Sequence, residues 1–337
     1  APLAAQHRIV TKVDELMALC ERLEAEQSDA ELAHARLVES LLDTLTQSTD
    51  AADLASNWQR IAEHFDTLFT TEDSIDRLRK ASLRLAVMGR LVQQDPDDEP
   101  ATKLLMQIAD VHHGSSSKNG KAHKARHPLI FEDGPYALPD GWVWTNIESI
   151  SNVGTGATPS RTSPAYFNPP EIPWVTSGET REPFINVTAE RVSSLALKET
   201  NLTVYPVGTL IVAMYGQGKT RGQISELMIE AATNQACAAI VPAVSDMAMR
   251  KYTKLYFLKI YDEIREEAAG GAQPNLNIGK IKSTLISLPP LAEQHRIAAK
   301  VDELMTLCDR MKADLREARG QQSRLAETLI ETALENA

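Results

Sequence analysis

The residues best suited to chemistry stand in AMYGQGKT at 213–220. Most of this run matches a GxxxxGK[ST] loop, in which backbone N–H groups and a Lys cradle phosphate oxygens, but Ala213 stands where the first Gly belongs. No apolar strand ending in an Asp accompanies it to hold magnesium, which argues against nucleotide hydrolysis. The same residues keep a physical use. Gly216 and Gly218 let backbone N–H groups approach a phosphate oxygen, and Lys219 and Arg221 supply charge, which suits a DNA backbone as well as a nucleotide. The plain alternative is a tight glycine hairpin in which the Lys and Arg are incidental.

Other constellations carry less. FNPPE at 167–171 resembles the Asn-Pro-Pro-aromatic loop of amino-methyltransferases, yet Glu171 occupies the position of the base-stacking aromatic, so it reads as a turn. His112, His113, His123 and His127 lie in a polar linker without Cys or acidic ligands, which suits solvated histidines better than a metal site. Cys237 sits among small apolar residues with no evident base and reads as core packing. No Ser/His/Asp triad or carboxylate pair is legible. What remains is a polar, glycine-punctuated set: GTGATPSR at 154–161, GQGKTRGQ at 216–223, ATNQA at 232–236 and GGAQPNLN at 270–277. Asn and Gln pair with adenine, Arg and Lys with guanine, and hydroxyls reach phosphates. Four such segments in one region fit the reading of a polar polymer better than a small-molecule pocket.

The elements that must position this set are of two kinds. PLAAQHRIVTKVDELMALCER at 2–22 returns as PLAEQHRIAAKVDELMTLCDR at 290–310, identical at 16 of 21 positions. Each copy opens with Pro at a helix start, where its missing N–H has no intrahelical partner, and then enters a heptad pattern. Apolar-phase positions are Ile9, Val13, Leu16, Cys20, Leu23, Leu37 and Leu41 in the first, and Ile297, Val301, Leu304, Cys308, Met311, Leu315, Leu325 and Leu329 in the second. Alternating spacings of four and three predict a coiled-coil seam, so two long helices are expected to pack against each other. At ~1.5 Å per residue, about 36 residues would make a rod of roughly 54 Å. Between them, short apolar or β-branched runs separated by turns (WVWTNI, IPWVT, TLIVAMY, AAIVP, STLISL) predict strands. The expected fold is therefore α+β: a β-rich domain attached to a long antiparallel two-helix coiled coil. Its parts are a first long helix at 1–48, a helical lead-in at 49–111, a flexible basic linker at 112–134, the β-rich domain at 135–289 and a second long helix at 290–337.

The chain has 337 residues, enough for one or two domains with sizeable cores. Its three cysteines, Cys20, Cys237 and Cys308, form no CxxC pair and fit a reducing cytoplasm. Neither a membrane span nor a signal peptide is legible. With 35 basic against 46 acidic side chains the net charge is -11, on its face unsuited to nucleic acid. Residues 118–289, however, hold 17 Lys and Arg against 16 Asp and Glu, net +1, so the remainder carries -12. The acidity belongs to the helical parts, where it suits a protein partner.

At these residues the chain resembles the specificity subunit of type I restriction-modification enzymes. GWVWTNIESI, GATPSR and IPWVTSGE are similar to the opening of a target recognition domain. YGQGKTRGQ, ATNQACAAIVP and GGAQPNLNIGKIKSTLISLPPLAEQHRIAAKVDEL resemble its middle and its exit into a conserved helix. The resemblance implies a non-catalytic DNA-reading protein that scaffolds a methyltransferase subunit and, in the full complex, a restriction subunit. It binds double-stranded DNA and no cofactor; S-adenosylmethionine belongs to the methyltransferase partner. It also implies, for one recognition domain between two conserved helices, a fragment or natural half that reads half of a bipartite site, or a self-dimer that restores two domains. Carried over to this sequence, the DNA contacts are Thr158, Ser160, Arg161, Gln217, Lys219, Thr220, Arg221, Gln273 and Asn275, with Asn234 and Gln235 equally suited to holding a loop. Lys118, Lys121, Lys124 and Arg126 add nonspecific attraction or form a plain tether. Trp142, Trp144 and Trp174 read as core anchors. The competing readings are a coiled-coil protein-interaction scaffold and a self-contained DNA-modifying enzyme.

Overall fold

The structure, a computed structural model, describes residues 2–48, 51–114, 128–216, 219–264 and 276–335. They form two compact units, one of residues 1–82 with 304–337 and one of residues 83–303.

The first unit is helical. α1 (Leu3–Thr46) starts behind Pro2 and runs through Ala-, Leu- and Glu-rich sequence without an internal Gly or Pro. α2 (Ala51–Glu63), α3 (Phe65–Leu68) and α4 (Glu72–Val87) follow, and a second long helix spans Leu291–Glu335. The expected seam between the two long helices needs correction. Ile297, Val301, Leu304 and Cys308 are buried, Met311 and Leu315 half-buried, and Leu325 and Leu329 exposed. In α1, by contrast, Ile9, Val13, Leu16, Cys20, Leu23 and Leu37 are exposed, and Leu41 is half-buried. Ile9 is 60% exposed and its repeat counterpart Ile297 is 0%. The buried stripe of α1 lies one position further on, at Val38, Leu42 and Leu45. The antiparallel partner of the second long helix in this unit is α4, through Glu72–Arg316 at 2.7 Å, Asp76–Lys312 at 2.6 Å and Arg79–Asp309 at 2.8 Å. Arg77 of α4 reaches Glu39 of α1 at 3.0 Å. A heptad pattern shows that a stripe needs cover, not which helix supplies it; the amphipathic lead-in helices compete for that role and take it.

The second unit holds the strands. α5 (Ala101–Gly114) precedes β1 (Val143–Asn146), the one-turn α6 (Ile147–Ile150) and β2 (Ser151–Thr155). β3 (Ile172–Val175), β4 (Phe184–Ile185), β5 (Glu190–Val192), α7 (Ser194–Glu199) and β6 (Val204–Tyr205) come next. Then follow β7 (Leu210–Ala213), β8 (Ile224–Leu227), β9 (Ala231–Thr233), β10 (Cys237–Pro242), α8 (Met247–Lys259), α9 (Ile278–Ser283) and β11 (Leu285–Leu288). Among the described residues these strands form three sheets, in the orders β2-β10-β7-β8-β4, β5-β3-β9-β6 and β1-β11. The two larger sheets share a core in which Val175, Tyr205 and Ala231 meet Ile185, Ile211, Leu227 and Ala239. Trp174, Val192, Ala196, Leu202 and Ala232 form a second cluster. Trp142, Trp144 and Trp174 are all buried.

Antiparallel β1–β11 pairing brings the domain's first and last strands together, with Val143 opposite Leu288. A buried polar network fixes this junction. Tyr252 Oη donates to the Ser287 carbonyl at 2.6 Å, and Ser287 Oγ donates to the Val87 carbonyl at 2.7 Å. Next to it, buried Glu293 in the first turn of the second long helix accepts 2.7 Å hydrogen bonds from Trp142 Nε1 and Gln94 Nε2. Arg296 forks onto Asp98 beside them. One carboxylate thus ties the turn after α4, the residue that leads into β1 and the helix start.

Burial pushes the Glu293 carboxyl above the usual carboxylate range, against the opposing pull of Trp142, Gln94 and Arg296. A carboxyl whose pKa is higher folded than unfolded holds more protons folded, so its contribution to stability falls as pH rises through the folded value. Glu293→Gln, which removes the charge and keeps one acceptor oxygen, is expected to flatten that decline. Urea midpoints from mildly acidic to neutral pH check this; equal slopes for both proteins would contradict it.

Candidate nucleic-acid interface

Strand direction and register gather the polar segments. β10 pairs antiparallel with β2 (Ala238 opposite Thr155) and with β7 (Cys237 opposite Ala213), and β7 pairs antiparallel with β8 (Val212 opposite Ile224). β2 and β7 therefore end, and β8 and β10 begin, at the same end of the sheet. β3 runs parallel to β9, with Val175 opposite Thr233, and delivers Thr176 and Asn234 to that end. GATPSR, the described residues 215–216 and 219–223 of YGQGKTRGQ, ATNQA and the TSGE of IPWVTSGE all emerge there.

Their contacts sort them into holders and presenters. Gly156 lies so close to the β9 end that a Cβ would stand 1.6 Å from the Thr233 carbonyl oxygen. Ala157 N–H donates to that carbonyl at 3.1 Å, and Trp174 Nε1 donates to the Ala157 carbonyl at 3.2 Å. Thr158 and Gln235, both exposed, hydrogen-bond to each other across two loops. Asn234 is a holder: its Oδ1 accepts from Ala236 N–H at 3.0 Å. Ser160 and Thr162 share a 2.7 Å hydroxyl contact at the surface.

Arg161 is engaged. Its guanidinium meets Glu190 at 2.6 and 2.9 Å and lies 5.0 Å from the Phe167 ring centroid and 5.6 Å from that of Trp174. The Glu190 hydrogen bond raises the Arg161 pKa, and its counterpart lowers that of Glu190. Arg161 therefore braces a loop against the aromatic cluster in this state, a role that spacing alone did not reveal.

The β7–β8 connection is a hairpin loop followed by a strand, without the helix that a nucleotide-binding phosphate loop requires. Gly222 N–H donates to the Ala213 carbonyl at 2.8 Å, and Tyr261 Oη donates to the Lys219 carbonyl. Gly222 has φ 82°, and a Cβ there would meet Tyr261 and Ile264 at 3.4 and 3.6 Å. Lys219 is exposed, Thr220 and Arg221 half-buried, and Arg221 Nε is buried with no partner among the described residues. Gln217, Gln273 and Asn275 lie outside the described residues, as do Lys118, Lys121, Lys124, Arg126, His123 and His127.

Alternatives to a polymer surface are weak. The described residues bring together no metal-binding group of His, Cys, Asp and Glu. Burial pushes the Cys237 thiol up to about 12, far from a reactive thiolate. A cavity of about 520 Å³ lies under residues 130–139, but the charged residues lining it, Glu132 and Asp133, have the wrong sign for phosphate. No described helix is long and apolar enough to cross a membrane.

Residues 139–318 match the family described as Type I restriction modification DNA specificity domain. The chain belongs to this family. The chain is similar in sequence to the Type I restriction enzyme EcoAI specificity subunit of Escherichia coli, at 33% identity over 99% of this chain and 57% of that protein. The EcoEI specificity subunit of the same organism is 34% identical over 99% of this chain and 57% of that protein. The chain thus spans somewhat over half the length of these relatives. Among solved structures it resembles the HsdS subunit from Thermoanaerobacter tengcongensis, at 17% identity and a TM-score of 0.44, covering 79% of this chain and 55% of that one.

Several residues of this specificity domain escaped the sequence reading. Glu179 accepts from the Thr176 and Ala189 N–H groups and anchors the β3–β4 connection, whose last turn carries Arg181. Tyr215 stands exposed in the β7–β8 loop. A Thr three residues before a Glu was the legible sign of the first, as a capping box.

Gly156→Ala is expected to destabilise the protein by about 1–3 kcal/mol by driving a methyl into the Thr233 carbonyl. Gly320→Ala, with nothing within 4 Å, is expected to stabilise its helix by up to ~1 kcal/mol. Urea unfolding compares them; equal effects would contradict the close packing of the two loops.

Proposed function

We propose that this specificity-domain chain recognises double-stranded DNA sequence as part of a type I restriction-modification system and has no catalysis of its own. The observation that carries the reading is the convergence of GATPSR, YGQGKTRGQ, TSGE and ATNQA on one sheet end, with Lys219 and Arg221 free of carboxylate partners among the described residues. Thr158, Gln235, Thr220 and Arg221 supply base-reading or phosphate-binding groups on a braced frame. The relatives are specificity subunits, which supports the same reading.

The partners follow from the same proposal. A methyltransferase subunit carrying S-adenosylmethionine supplies adenine methylation, a restriction subunit supplies cleavage, and all act in the cytoplasm. The exposed stripe Ile9, Val13, Leu16 and Leu23 favours a scaffolding role beside DNA reading, because an apolar helix face of that length calls for a protein cover. One recognition domain reads one half of a bipartite site. The net charge of -11 makes the chain alone a weak DNA binder, and its methyltransferase partner contributes positive surface.

Selection from a randomised duplex library by the chain with its methyltransferase subunit is expected to enrich one short motif; no enrichment would sink the proposal. In that complex Arg221→Ala should cost about 1–3 kcal/mol and relax one position if it reads a base, or lower the salt dependence if it touches phosphate. Unchanged affinity and slope would remove Arg221 from the interface.

A further inference from the structure

Charge compensation across the strand-bearing unit singles out three side chains. Arg161, Arg250, Lys251, Lys254, Lys259, Lys282, Arg296 and Lys300 face carboxylates. Lys103 pairs with Glu99, Arg191 donates to the Pro170 and Glu171 carbonyls, and Lys198 lies in the field of Glu171. Arg84, Arg90 and Lys280 have partners as well. Among the described residues, Arg181, Lys219 and Arg221 are the Lys and Arg side chains of residues 83–303 that none of these interactions holds.

Lys219 and Arg221 belong to the β7–β8 loop. Arg181 is far from them in sequence, yet the topology brings it to the same sheet end. It closes the 3-10 turn Ser177–Arg181, just before β4. β4 runs parallel to β8 with Phe184 opposite Glu226, so residues 181–183 lie level with the start of β8. Two contacts fix that level: Ser225 Oγ donates to the Glu182 carbonyl, and Glu226 N–H donates to the Pro183 carbonyl at 3.2 Å. Arg181 is exposed. The nearby carboxylate of Glu179 is committed to two backbone N–H groups and that of Glu190 to Arg161, which leaves the exposed Glu182 as the adjacent counter-charge.

An exposed Arg costs little at the surface, but cations that neither a carboxylate nor a backbone carbonyl holds, gathered at one sheet end, form a surface prepared for an anion. We propose that Arg181 is a DNA-phosphate contact that extends the interface from the β7–β8 loop onto the β3–β4 connection. The inference rests on the DNA-reading proposal and enlarges its footprint to a second connection.

The test is the salt dependence of binding to a fixed duplex of arbitrary sequence, using the full chain in complex with its methyltransferase subunit. Arg181→Ala is expected to reduce the slope of log K against log[salt] by about 0.9, the value for one lost phosphate contact on B-DNA. Arg181→Lys should restore most of it, and Glu182→Gln should tighten binding. A slope unchanged in Arg181→Ala overturns the inference. If Lys219→Ala lowers the slope in that case, DNA reading by this surface stands without Arg181. If the complex binds duplex no better than the methyltransferase subunit alone, the DNA-reading proposal fails, and the inference with it.

Discussion

The antiparallel register that clamps β10 between β2 and β7 is the constraint on which the rest of the domain depends. Cys237, Ala238, Ala239 and Ile240 are all buried, so β10 is covered on both faces as well as paired along both edges, and a one-residue slip would exchange the side chains packed on its two faces and break both ladders. With that register fixed, the connections before β10, after β2 and between β7 and β8 have no choice but to share one end. The parallel β3–β9 pair adds the β3–β4 connection. Four stretches separated by up to about eighty residues of sequence become one surface.

Electrostatics then divides that surface by function. Arg161 is neutralised by Glu190 and laid against Phe167 and Trp174, so it stiffens a loop. Arg181, Lys219 and Arg221 keep their charge available. The division explains how a chain of net charge -11 can carry a surface for a polyanion: its acidity lies mainly outside residues 118–289, and local pairing within the domain selects which cations remain.

Much of this was legible in the sequence, and the rest was not for physical reasons. Alternating apolar runs bounded by Gly, Pro and Asn marked the strands, and the heptads marked both long helices. The polar segments were legible as a set because glycine and amide side chains recur in them. The helix partner was not legible, because Val38, Leu42 and Leu45 differ from the expected stripe by one position and their cover comes from the lead-in helices. Nor was the fate of Arg161, since Glu190 lies 29 residues away and meets it only through the β3–β5 pairing. Arg181 was passed over because it sits after a motif, IPWVTSGE, whose visible role is structural; only strand order brings it to the sheet end that carries the Lys219 loop.

The central claim is that one end of the β2-β10-β7-β8-β4 sheet is the face that meets DNA. Hydrogen–deuterium exchange of the complex with its methyltransferase subunit, with and without duplex, tests it most directly. The account predicts that DNA slows exchange in the peptides covering residues 156–163, 214–223 and 232–236, and leaves the opposite sheet end, around Val207 and Met228, unchanged. Protection confined to that opposite end, or none in the three loops, would contradict it.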